Sequence, residues 1–174
     1  DILLRSGIGP AAAVAALGEA VHDLPGVGQN LQDHVDCMVI CQSSSRTPYG
    51  ISIPALPRLA LDGAKWLFGN RGMLSSNMVE AGGFVRTSPG EDRPDIQFHI
   101  IPGRKSHRGR MVEYGHGVSV HTCVLRPRSV GELRLARSGG QLALEIDHRF
   151  FSDNHVPRTL IEGLKLARRI FAAP

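Results

Sequence analysis

What the sequence has little of narrows it first. Aromatic residues make up 5% of the 174, with one Trp and two Tyr, too few for the stacking platforms that bind single-stranded nucleic acid. No apolar run approaches the roughly 20 residues of a membrane-spanning helix, so no membrane span is expected. The three cysteines, Cys37, Cys41 and Cys123, suit a reducing, cytoplasmic compartment better than a disulfide scaffold. If Cys37 and Cys41 share a strand they lie on one face roughly 13 Å apart, too far for a bridge. The eight histidines show no spacing with cysteine of the kind zinc requires, and no metal is expected. The dinucleotide fingerprint Gly-x-Gly-x-x-Gly is also missing: Gly7 and Gly9 are followed by Pro10, Ala11 and Ala12.

What is present is an ordinary globular composition, 42% hydrophobic and 21% charged, in a chain long enough for one domain with a real core. The net charge of +4 comes from an excess of arginine. No nucleic-acid module motif accompanies it, so it is read as a solvated surface and no nucleic-acid partner is expected.

Periodicity divides the chain. Pro10 and the alanine-rich run to Leu17 read as a short helix, followed by an extended stretch at Ala20–His22 and a break at Pro25, Gly26 and Gly28. Cys37, Val39 and Cys41 alternate with Met38 and Ile40, as in a strand. Residues 42–54 read as a loop. Leu56, Leu59, Ala60, Ala64, Leu67 and Phe68 recur at helical spacing, closed by Gly69-Asn70. Two-residue alternation then governs residues 96–101 and 118–124. A hairpin is expected between 133 and 146 through Ser138-Gly139-Gly140. The last element is an amphipathic helix with Leu160, Ile161, Leu164, Ala167, Ile170 and Phe171 on one face. Strands between helices predict an α+β fold, a mostly antiparallel sheet backed by helices.

Three stretches carry candidate chemistry. Ser6-Gly7-Ile8-Gly9 before a helix reads either as a phosphate cradle or as a tight turn. Leu24-Pro25-Gly26-Val27-Gly28-Gln29-Asn30-Leu31-Gln32-Asp33-His34 sets donors and acceptors on a glycine-bearing loop, either to meet a ligand or to tie down its own backbone. Glu80 and His99 are lone polar groups in alternating apolar runs.

In combination these segments resemble the glucose-methanol-choline family of flavin-dependent alcohol oxidoreductases. Ile2-Leu3-Leu4-Arg5-Ser6-Gly7-Ile8-Gly9-Pro10 and the 24–34 stretch look like its second signature. The match continues through Glu80-Ala81-Gly82-Gly83-Phe84-Val85-Arg86, Pro94-Asp95-Ile96-Gln97-Phe98-His99, Leu125-Arg126-Pro127-Arg128-Ser129-Val130-Gly131 and Leu160-Ile161-Glu162-Gly163-Leu164-Lys165. The likeness is to the bacterial choline and alcohol dehydrogenase branch. It implies FAD as cofactor, with Gly28, Asn30, Asp33 and His34 near it, and an alcohol substrate met by Glu80, Phe84 and His99. Residues 1–34 would be the tail of a flavin-binding domain and 35–174 an incomplete substrate-binding domain. The family's FAD fingerprint and catalytic His would lie outside the chain, which is then an internal piece, expected to be inactive alone and to bind FAD weakly or not at all. A rival reading of the same pattern is a non-catalytic α+β module for a small ligand or a partner protein.

Overall fold

Glycine, proline and asparagine interrupt the chain where the periodic runs stop, and the elements form between those interruptions. The computed structural model describes residues 1–104 and 113–173. In chain order the elements are α1 Ile2–Arg5, β1 Ile8–Gly9, α2 Ala11–Ala15, β2 His22–Asp23, β3 Asp36–Ser43, β4 Gly50–Ile51, α3 Leu56–Gly69, β5 Ala81–Val85, β6 Ile96–Ile101, β7 Gly115–Val124, β8 Glu132–Ser138, β9 Gln141–Asp147 and α4 His155–Ala172. They fall into two compact units. One comprises Asp1–Val35 with Arg126–Pro157, the other Asp36–Leu125 with Arg158–Pro174.

The second unit is a five-stranded antiparallel sheet in the order β3-β7-β6-β5, with the short β4 also paired to β7. Its register sorts the side chains. Ile96 faces Val124, Phe98 faces Thr122 and Ile100 faces Val120 across β6 and β7, so these apolar residues share one face. Ile96, Phe98, Val120 and Val124 are buried, each contributing about 1.5–3 kcal/mol of transfer free energy. Helix α4 covers this face with Leu160 and Ala167 buried. It comes so close that a Cβ at Gly163 would stand 2.5 Å from Thr122 Cγ2 and 2.9 Å from Ile96 Cδ1. The corner between β5 and β6 is fixed by buried Asp95, which accepts the Thr87 N–H at 2.8 Å and the Thr87 hydroxyl. Helix α3 stops where Asn70 turns left-handed at φ 49° and gives its N–H to Trp66 O, the stop expected from Gly69-Asn70.

The first unit is built differently. Its helices are four and five residues long, and β1 and β2 pair in parallel over two residues each. Its largest element is the β8–β9 ribbon, seven cross-strand pairs closed at Gly139 and Gly140, both at positive φ, as an inverted two-residue turn requires. The ribbon forms its own two-stranded sheet rather than joining the five-stranded one. Backbone bonds tie the chain at its start to the loop expected to meet a cofactor: Leu31 and Gly131 exchange both N–H···O bonds, and Leu133 N–H donates to Gly28 O at 2.6 Å. Alternation predicted the strands; it carries no information on which distant segment they join.

Candidate functional site

The residues expected to meet substrate all lie in the second unit. The sheet has a face opposite the one α4 covers. There Gly82 pairs His99, Phe84 pairs Gln97, His99 pairs His121 and His121 pairs Met38, in unbroken rows across β5, β6, β7 and β3. Phe84 is 61% exposed. Glu80, just before β5, has the parity of Gly82 and Phe84. The structure thus gathers Glu80, Phe84 and His99 along one face.

Glu80 is engaged locally. Its carboxylate accepts the Ser76 hydroxyl at 3.4 Å, and its charge acts on the Tyr49 hydroxyl. Burial, and then the Glu80 carboxylate, push the Tyr49 hydroxyl above its ordinary pKa. The Arg58 guanidinium stands 5.5 Å from the Tyr49 ring centroid, a cation–π distance.

Two residues on this face escaped the sequence reading. His121 donates Nδ1–H to Asp36 Oδ2 at 2.5 Å. Its alternation with Val120 and Thr122 was the available signal. The β6–β7 register, which sets it beside His99, was not. Cys37 lies on the other face, opposite Thr122. Burial first, and Asp36 second, raise its thiol pKa, which favours the protonated form.

The residues expected near a cofactor lie in the first unit, and the structure separates them. Asp33 and His34 line a cleft of about 540 Å³ with Gln32, Arg126, Pro127 and Arg128. Gln32 Nε2 donates to Pro127 O at 3.3 Å and Asp33 accepts the His34 N–H at 2.8 Å. Gly28 and Asn30 are not among the lining residues. Gly28 is accounted for by β8: at φ +84° a Cβ would fall 2.4 Å from Leu133 O. Asn30, at φ 58°, is exposed at the turn. Arg126 and Arg128 are the functional candidates that residue-by-residue reading missed; the signal was the Leu125–Gly131 segment itself. The stretch at Ser6–Gly9 precedes only the five-residue α2, too short for a helix dipole to build an anion site. Among the described residues no group of His, Cys, Asp and Glu could hold a metal, and no helix is long and apolar enough to cross a membrane.

No protein-family model matches the chain. It is similar over its whole length to an alcohol dehydrogenase [acceptor] of Pseudomonas putida, at 41% identity over 32% of that protein. It is also similar to an oxygen-dependent choline dehydrogenase of Ectopseudomonas mendocina, at 38% identity over 31% of it. The chain therefore spans about a third of the length of the curated relatives it matches. Among solved structures, formate oxidase superposes at a TM-score of 0.77 and 18% identity, over 95% of this chain and 33% of that one. A FAD-dependent oxidoreductase from Chaetomium thermophilum superposes at 0.69 and 21%, over 99% and 36%. The antiparallel sheet backed by helices is thus a fold that oxidoreductases share. The alcohol and choline dehydrogenases that it matches along its whole length support the glucose-methanol-choline family.

Proposed function

We propose that this chain is the substrate-facing portion of an FAD-dependent oxidoreductase acting on CH–OH groups. The observation that carries the reading is the gathering of Glu80, Phe84 and His99 on the sheet face opposite the one that α4 packs on. Phe84 supplies apolar area for the carbon skeleton of an alcohol. His99 supplies a hydrogen bond to its oxygen. Residues 35–174 would then serve as substrate-binding domain and 1–34 as the end of the flavin-binding domain.

FAD, when bound, supplies the hydride acceptor. The donors of the 540 Å³ cleft fit one polar edge of such a group: the guanidiniums of Arg126 and Arg128 suit anionic or carbonyl oxygens, and Gln32 and His34 add neutral donors. Asp33, His34 and these arginines would meet the cofactor directly, with Gly28 and Asn30 shaping the loop behind them. Among the described residues neither unit offers the glycine-rich helix start that grips a dinucleotide, so the 174 residues alone are expected to hold FAD weakly and to turn over nothing. Three cysteines without disulfides accord with a cytoplasmic setting.

Flavin bleaching tests the reading. The reading frame that contains this segment is expressed, loaded with FAD, and mixed without oxygen with benzyl alcohol, aliphatic primary alcohols and choline. Bleaching by at least one alcohol is expected, with none when the 174-residue chain is mixed with free FAD. A flavin-loaded protein that no alcohol bleaches overturns the proposal.

A further inference from the structure

His121 is 7% exposed and its Nε2 is buried with no hydrogen-bond partner among the described residues. Leaving such a group unpaired costs the desolvation of that atom with nothing gained in return. Its other nitrogen is committed, since Nδ1–H goes to Asp36 Oδ2 at 2.5 Å. An imidazole that donates from Nδ1 to a carboxylate carries its lone pair at Nε2 when neutral. The orphaned atom is therefore an acceptor of fixed identity.

His99 is its neighbour. The two face each other in register across β6 and β7, so their Cβ atoms are about 5 Å apart on the same side of the sheet. The other neighbour of His99 in that row is Gly82, which has no side chain. No side-chain hydrogen bond of His99 is found among the described residues. One imidazole has a locked, buried acceptor without a donor; the next can present an N–H.

We propose that His121, held by Asp36, forms with His99 a pair that binds a hydroxyl group: His121 Nε2 accepts the hydroxyl proton and a ring N–H of His99 donates to the same oxygen. A hydroxyl is the small group that donates and accepts at one atom, and so satisfies both rings at once. The pair favours an uncharged alcohol. The inference rests on this sheet face being the substrate wall, and it adds Asp36 as the positioning residue that fixes the tautomer of His121.

Side-chain nitrogen NMR of the flavin-loaded protein from the reading frame that contains this segment tests it. Benzyl alcohol is expected to shift His121 Nε2 and one ring nitrogen of His99 together, and toluene, which lacks the hydroxyl, to shift neither. Asp36 is exposed, and Asp36→Asn can pair with either tautomer, so the lock is lost without loss of shape. It is expected to weaken the alcohol response about tenfold, the size of one misdirected hydrogen bond, and Asp36→Glu to restore it. His121→Phe keeps the ring and removes both nitrogens; alcohol is then expected to leave His99 unmoved. If benzyl alcohol shifts His99 but not His121, or binds Asp36→Asn as well as the original chain, the pair is refuted while the wall stands. If it shifts neither histidine, both fall.

Discussion

The two units hold themselves together by different physics. In the second, a face of Ile96, Phe98, Val120 and Val124 is sealed by α4 at near-contact distance, and its stability is a matter of close packing. In the first, the buried apolar side chains are few, Leu4, Val14 and Val35 among them. Backbone bridges and a charged cluster carry more of the load. Glu132, 5% exposed, accepts from Arg134 Nη2 at 2.5 Å and from Arg149, which also binds Asp147 at 2.9 Å. A packed sheet tolerates loss of charge and resists added volume. A ribbon tied by ions should respond the other way.

The largest test adds volume to the packed unit. Gly163→Val places a branched side chain where a Cβ alone would stand 2.5 Å from Thr122, and a loss of about 3 kcal/mol is expected by denaturant unfolding. Gly63→Ala in α3, where a Cβ meets nothing within 4 Å, is expected to gain about 1 kcal/mol from helix propensity. Equal effects at the two glycines would break the claim that α4 is seated by contact. Next in size is Glu132→Gln. It removes the charge that two arginines share, with a cost of about 1–2 kcal/mol to the ribbon. Amide exchange is expected to quicken in β8 and β9 and to stay unchanged in β6 and β7. Faster exchange throughout would mean that the two units share one stability.

The contrast also explains what the sequence made legible. The strands at 96–101 and 118–124, the helix from Leu56 and the final helix were readable, because burial against one partner imposes a period of two or 3.6 on neighbouring residues. The hairpin turn at Gly139-Gly140 was readable for its conformational demand. Partner choice was not. Nothing local says that Gly131 pairs with Leu31, or that His121 stands beside His99, since both depend on register between segments far apart in the chain. Gly28 illustrates the same limit. Its glycine looked like room for a cofactor, whereas a strand carbonyl fills that space. Of the candidate site, the face bearing Glu80 and His99 could be read by parity, while Asp36 and Arg126 needed the third dimension.

The smallest effect, and the sharpest in location, comes from acid. The hydrogen bond from Arg149, ahead of its charge, holds the Asp147 carboxyl below its ordinary pKa. A carboxyl depressed on folding adds stability that is fully present above its unfolded value, near 3.9, and is lost as pH falls through the lower folded value. Asp147 is exposed, so solvent screens the pair and the loss is small. Between pH 7 and about 4.5 the exchange protection of β8 and β9 is expected to stay level, then to decline below about pH 4. Asp147→Asn should remove that part of the decline, and the difference between the two proteins isolates this carboxylate from the others that titrate nearby. The sheet of β6 and β7 has no share in the pair. An Asn variant whose acid profile matches the original in β8 and β9 would show that the ribbon does not depend on this ion pair, and a difference that reached β7 would show that the two units are coupled after all.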